Sequence, residues 1–508
     1  MRPKEIFQSV NYKLFEGKIE PNDVIQGSVG DCYFLAACAS LAEFEHRIKN
    51  LFVLKNVEMA IEVGAFCIRI CDRGIWKNII LDDQIPCEDY YQRKPLYARN
   101  KGRELWVLLL EKAWAKNYGS YEQIDGGECE DVLHDLTAAP CIKISTSNKP
   151  IEFLESLWKE IEKGGRRNYV MTAGRSSPEY KNLGLVGGHA YSVLAAYFVR
   201  TQSDKMVQLV KLRNPWGLRE WNQKWSDKDD LNWKTIPQSE QNRIGYEKKR
   251  DGIFFMDFND FLRYFADVQI CYVHDDYKYN AIEVNSSANE EKCFKVTLSK
   301  SGHYVFGVSQ TSVQHLPLHQ QDSHQYARVV LKVSNSERNL IVSTKEALRE
   351  VFTRYHCDVG LDETITFSAG INYVSVQVEG PPGKLNTFGL SCYGVGEAKF
   401  ETFSFREYKD QNSNQNKYEK EKIVPYISYL EAKFENYTLF RLSQQSRNRY
   451  FNQNEYEKEN FVRSEKNKDN SHMHEEKQFS SLPLENIFII LFLIIIILFF
   501  LFCFIRGW

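Results

Sequence analysis

Gln26-Gly27-Ser28-Val29-Gly30-Asp31-Cys32-Tyr33-Phe34 opens the stretch that decides the fold, and it continues directly into residues 35–44, LAACASLAEF. Two glycines and a serine make a tight approach loop, and the Ala- and Leu-rich continuation has the composition of a helix. That order puts the Cys32 sulfur at a helix N-terminus, where backbone N–H groups and the dipole favour thiolate over thiol. A thiolate is the nucleophile that acyl transfer at cysteine needs. Gln26, a short loop upstream, can supply an amide N–H to an oxyanion. The competing reading is a buried structural thiol, because free cysteine is among the most buried residue types.

Two downstream segments weigh against that competitor. Gly187-Gly188-His189-Ala190-Tyr191-Ser192-Val193 carries a histidine from a glycine turn into an apolar strand, and Lys211-Leu212-Arg213-Asn214-Pro215-Trp216-Gly217 follows it. A cysteine near the start with His and Asn far downstream is the order found in papain-like thiol proteases. In that chemistry His189 takes the thiol proton and later protonates the leaving amine. Asn214 accepts from the other ring nitrogen and fixes the tautomer. Gly188 lines the cleft, and Trp216 shields the His–Asn hydrogen bond from water.

QGSVGDCYFLAACASL, GGHAYSV and LRNPWGLREWNQKWSD resemble the calpain cysteine protease core, and the likeness covers roughly residues 15–275. ELWVLLLEKAWAKNYGSYEQIDGG and DGIFFMDFNDFLRYF add to it. The resemblance implies an α+β, two-lobed papain-like core over residues 1–275. Its lobes would be about 1–139, bearing Cys32, and 140–275, bearing His189 and Asn214. The segment 276–398, with GINYVSVQVEGPPGKLNTFGLSCYG near its end, is similar to the antiparallel β-sandwich that follows this core in many calpains. The family also implies a calcium ion in each lobe. Asp23 and Glu104 match the first-lobe carboxylates, and Glu220, Asp227 and Asp251 match the second-lobe set. A further family glutamate falls on Ile253, which cannot bind a hard cation, so the second site is short of a ligand. Tyr33 stands where the family has Trp, which implies a cleft wall with a polar tip. Thr137-Ala138-Ala139-Pro140 stands where many relatives have glycines, which implies a stiffer hinge. No D-x-[DN]-x-[DN]-G loop occurs in the sequence, so neither an EF-hand module nor the partner subunit that docks on it is expected.

The rest of the chain bounds the setting. Its 508 residues are 43% hydrophobic and 26% charged, enough for several globular units. A net charge of −2 removes any global electrostatic case for nucleic acid. Twelve cysteines without dense spacing point to a reduced, intracellular chain. The N-terminal MRPKEIFQSVNYKLF has no apolar core of secretory length. Residues 399–486 are rich in Lys, Glu, Asn, Gln and Ser, which suits a disordered, flexible linker. Ile487–Ile505 is unbroken apolar sequence. As a helix it would extend about 30 Å, the thickness of a bilayer core, so a single transmembrane helix with the body facing the cytosol is expected.

These readings predict a calcium-dependent cysteine endopeptidase acting on protein substrates at a membrane surface. The alternative from another class is a non-proteolytic, membrane-anchored adaptor that binds partners or lipids through the sandwich. A transglutaminase-like thiol transferase fits less well, because that chemistry prefers Asp to Asn in the third position.

Overall fold

An eleven-residue helix, Cys32–Ala42, sits inside the first lobe with every residue from Tyr33 to Ala42 buried. A helix apolar on all sides has nowhere to go but a core. Phe34 stacks on Trp114 of the helix Trp106–Tyr118, with ring centroids 5.2 Å apart. A third helix, Cys129–Thr137, packs on the same helix. A two-stranded ribbon, Ala65–Asp72 with Ile75–Asp82, closes this lobe. Its two turn residues, Arg73 and Gly74, both have positive φ (53° and 70°), the conformation a two-residue hairpin needs to match strand twist.

The computed structural model describes residues 1–403 except 89–90, 148, 176–180, 218, 322, 325, 345–355 and 380–384, all within one compact unit, Met1–Thr438. The linker expected over 399–486 is corrected at its start, where residues 399–403 belong to the strand Ala398–Phe403; the rest of it and the expected membrane span Ile487–Ile505 lie outside the described residues. Among the described residues no helix is long and apolar enough to cross a membrane.

The chain leaves the first lobe through Thr137–Pro140. Ala138 adopts the left-handed conformation (φ 57°) that ends the helix Cys129–Thr137, a position where glycine is favoured. Thr137 Oγ1 adds bonds to Leu133 O (2.5 Å) and from Ala139 N (3.1 Å), so the crossing is held as well as bent.

The second lobe is a six-stranded antiparallel sheet. Its order is Cys141–Ser145, Asp267–Cys271, Val170–Arg175, His189–Arg200, Met206–Arg213, Ile253–Asp257. The helix Ile151–Arg167 buries Leu157, Trp158 and Ile161 against one face, with Met171, Tyr191 and Leu212. Trp225, Trp233 and Phe255 form a separate cluster with Val199 and Leu209. The lobes meet along the helix Cys32–Ala42, where Ser40 Oγ lies 2.7 Å from Ser192 Oγ. Arg47 adds a clamp, with Nε and Nη2 on the Asp275 carboxylate (2.9 and 3.1 Å) and Nη1 on Asn168 O (2.8 Å).

Two further antiparallel sheets follow. One has four strands in the order Lys278–Ser287, Leu385–Gly394, Tyr304–Ser309, His356–Val359. The other has five, Leu340–Ser343, Val329–Ser334, Gly370–Val378, Glu291–Leu298, Ala398–Phe403. Alternate residues of both, including Phe294, Val296, Phe306, Leu331, Val376 and Leu390, share one apolar cluster. Gly394 is needed there for close approach, since a Cβ would fall 2.2 Å from the Tyr304 ring.

Candidate active site

Cys32 is the first residue of its helix, and its Sγ has Gly188 O, the carbonyl just before His189, at 3.9 Å. The nucleophile candidate of one lobe and the base candidate of the other are thus on facing chain segments. His189 begins its strand, is 4% exposed, and has Asn214 Oδ1 at 3.1 Å from Nε2. Asn214 is fully buried, and its amide orientation is settled by backbone partners. Oδ1 accepts the Trp216 N–H (3.1 Å), and Nδ2 donates to Arg219 O (3.0 Å). His189 Nε2 must therefore carry the hydrogen, which leaves the lone pair on Nδ1. Among the described residues Nδ1 is buried with no hydrogen-bond partner. The 40%-exposed Trp216 lays its ring 4.2 Å from the imidazole, covering the His–Asn bond from the solvent side.

Protonation in this conformation differs from the sequence expectation. Burial raises the Cys32 thiol above its ordinary value, and the charge of Asp31 raises it further. The helix N–H groups of Tyr33 and Cys32 act the other way and are outweighed. Burial lowers His189 to about 4, against the opposing hydrogen bond to Asn214. Thiol and imidazole are therefore both neutral at pH 7. The dipole argument identified a real contribution but omitted desolvation, which is the larger one.

Three other placements were not foreseen. Gln26 Nε2 spends one hydrogen on Val29 O (3.1 Å), so only its second N–H is left for an oxyanion. Tyr33 is buried rather than lining a cleft, and its hydroxyl donates to Ile124 O (3.2 Å). Beneath Cys32, Asp31 and Glu111 form a buried carboxyl pair; burial lifts both above the usual range, and the charge of Asp31 lifts Glu111 further. Glu111 also accepts the Ala98 N–H at 2.9 Å. The pair lies in the quoted GDC and LLEKAW motifs, but a buried carboxyl cannot be told from a surface one by its neighbours in sequence.

The carboxylates that the resemblance assigns to the two cation sites differ in setting. Glu104 is 5% exposed, its Oε2 has no hydrogen-bond partner among the described residues, and burial together with the charge of Asp23 lifts it to about 7. Asp23 is likewise raised by burial. Two like-charged carboxyls with a spare buried lone pair suit a hard cation. In the second lobe Glu220, Asp227 and Asp251 accept the N–H groups of Gly252, Lys249 and Ile253 at 2.8, 3.0 and 3.0 Å. Asp227 rises to about 6 through burial and the charges of Glu220 and Asp251, but among the described residues these three acids are not a group whose ligand atoms lie within 4.8 Å of one another. His134, Asp135 and His356 form a separate group whose ligand atoms lie within 4.8 Å of one another, the two imidazoles tilted at 37° with centroids 3.4 Å apart.

A family model described as calpain family cysteine protease matches residues 1–272. The chain is 35% identical over 294 residues to calpain-type cysteine protease ADL1 of Oryza sativa subsp. japonica, covering 54% of this chain and 13% of that protein. It is 32% identical over 277 residues to calpain-9 of Homo sapiens, covering 54% of this chain and 39% of that protein. The calpain-2 catalytic subunit of Macaca fascicularis is 32% identical over 278 residues, again 54% of this chain and 39% of that protein. The chain therefore spans less than half the length of each of these relatives.

Proposed function

Because this chain belongs to the calpain family of cysteine proteases, we propose that it is a cysteine endopeptidase that cuts protein substrates at limited sites. The observation that carries this reading is the locked Asn214 amide, which leaves His189 Nδ1 as the ring nitrogen available to Cys32. When Sγ reaches Nδ1, the thiol proton passes to the imidazole and the thiolate attacks the scissile carbonyl. The oxyanion takes hydrogen bonds from the Cys32 backbone N–H and the second Gln26 N–H. The imidazolium then protonates the departing amine, and water resolves the thioester while His189 accepts its proton.

Calcium belongs to the same proposal. Bound among Asp23 and Glu104, and among Glu220, Asp227 and Asp251, it would supply the positive charge that these crowded carboxylates lack. Asn22, beside Asp23, reaches Asp251 O across the lobes (3.4 Å), so the two carboxylate groups are linked through the chain itself. The two sheets after the core are read as the calpain-type β-sandwich, residues 404–486 as a linker, and Ile487–Ile505 as an anchor that confines cleavage to a membrane surface. Retention of the full chain, but not of a chain lacking 487–505, in carbonate-washed membranes tests the anchor.

The test of the activity is casein cleavage by the full chain in detergent across a calcium titration, with Cys32→Ala alongside. Calcium-dependent cleavage lost in the variant supports the whole reading. Cleavage without added calcium keeps the protease and removes the metal requirement. No cleavage by folded protein at any calcium level favours the adaptor.

A further inference from the structure

The nucleophile loop is held from outside its own lobe. Gln314 lies in the two-sheet region, 281 residues beyond Tyr33, and is 7% exposed. Its Nε2 donates to Tyr33 OH at 2.7 Å and to Gly126 O at 3.1 Å, so both amide hydrogens are used. Tyr33 directly follows Cys32. Gly126 N in turn donates to Gly30 O (3.0 Å), while Gly30 N donates to Asp125 Oδ1 (3.1 Å). One carboxamide therefore ties down the chain on both sides of the thiol, at Tyr33 directly and at Gly30 through Gly126.

The arrangement leaves little slack. A Cβ on Gly127 would meet the Tyr33 ring at 2.5 Å and Gln314 Nε2 at 2.9 Å. The segment carrying Gln314 is itself fastened to the first lobe. His315 Nε2 lies 2.7 Å from Asp72 Oδ1, and Gln123 Nε2 donates to Leu316 O at 3.2 Å.

We propose that Gln314 is a positioning residue for Cys32, through which the two-sheet region completes the nucleophile loop of the first lobe. The inference rests on the reading of Cys32 as nucleophile. Loss of the carboxamide removes the group that joins the buried Tyr33 hydroxyl to the Gly126 carbonyl, and the loop it braces relaxes around Gly30 and the first turn of the helix. Misplacement of a reacting atom by about 1 Å can cost about 100-fold in rate. The same relaxation weakens the N–H groups that favour the thiolate.

The test compares full-length protein with Gln314→Met, which keeps the volume and removes both donors. Two readouts are taken at a temperature where melting curves show both folded. One is kcat and KM on a fluorogenic peptide; the other is the rate of iodoacetamide alkylation at the Cys32 peptide, followed by mass spectrometry at pH 8. The expected result is a kcat reduced about tenfold with KM within twofold, and Cys32 alkylation slowed at least threefold. Tyr33→Phe combined with Gln314→Met should cost less than the sum of the two single changes. Alkylation unchanged or faster would overturn the inference, because a merely structural Gln314 would lower the melting temperature and leave Cys32 reactivity alone. If the Met variant does not fold, Gln314→Asn, which keeps an amide but lacks the reach, is judged by the same readouts. If wild-type protein cleaves no peptide, the protease reading fails separately, and the alkylation arm still decides the role of Gln314.

Discussion

Asn214 Oδ1 sits 3.1 Å from both His189 Nε2 and the Trp216 backbone nitrogen. A backbone N–H can only donate, so this oxygen is an acceptor and the imidazole presents Nε2–H to it. Asn214→Ala frees the ring to adopt the other tautomer, which places a hydrogen where the thiol proton must go. The expected outcome is a kcat lowered about 100-fold, with KM changed less than threefold, measured by steady-state peptide hydrolysis. A kcat within threefold of wild type would remove Asn214 from the machinery.

Neutral Cys32 and neutral His189 have a consequence for pH. Burial and Asp31 hold the thiol above its ordinary range, and burial holds the imidazole at about 4. In calcium-free protein the thiolate fraction therefore grows with pH throughout the neutral and mildly alkaline range. Alkylation of Cys32 should rise about tenfold per pH unit from pH 7 to pH 9. A rate that has already levelled off by pH 6 would show an ion pair formed in the resting protein, contrary to this geometry.

The paired carboxyls Asp23 and Glu104 give a prediction whose sign depends on calcium. Glu104 is raised to about 7 by burial and by Asp23. A carboxyl raised on folding contributes stability below its unfolded value near 4.3, and that contribution is lost as pH rises through 7. At pH 8 without calcium, Glu104→Gln removes this burden and should raise the melting temperature, by roughly 2–4 °C. With calcium, wild type should gain stability that the variant does not. A variant less stable than wild type in chelator, or one that keeps the full calcium gain, would contradict the assignment.

The parts of the site that were legible in sequence are those built from local chain. Asn214, Trp216 and Arg219 hydrogen-bond within one turn, so the Asn-Pro-Trp-Gly motif carried the tautomer lock with it. The helix after Cys32 was legible because, apart from Ser40, its residues are uniformly apolar. Tyr33 was misread as a cleft wall because its partner Gln314 arrives from a distant, unpatterned segment, Val313–His315. The thiol's protonation was misread because an N-terminal helix position is visible in sequence, whereas burial of Cys32 and Asp31 is a product of tertiary packing. That residues 276–398 form sheets was legible from the likeness at their end, yet which strands pair was not. Lys278–Ser287 finds its neighbour in Leu385–Gly394, across most of the segment.

Asp72 is the group through which acid should loosen the junction beneath the nucleophile. It is 2% exposed, pairs with His315 Nε2 at 2.7 Å, and also contacts Lys77. Burial pushes its carboxyl up, but His315 and Lys77 outweigh burial and hold it at about 2. A lowered carboxyl contributes stability above its unfolded value near 3.9, and the contribution disappears as pH falls through 2. Asp72→Asn keeps the shape and removes the charge, so it should cost about 2 kcal/mol at pH 7. The difference in urea midpoint between wild type and variant should narrow below pH 4 and close towards pH 2. A difference that stays constant from pH 7 to pH 3 and below would mean that the charge of Asp72 does not carry the contact. His315→Gln, which removes the same pairing from the other side, should reproduce part of the loss at pH 7. Because His315 adjoins Gln314, it should also slow Cys32 alkylation, and an unchanged rate would confine this contact to stability alone.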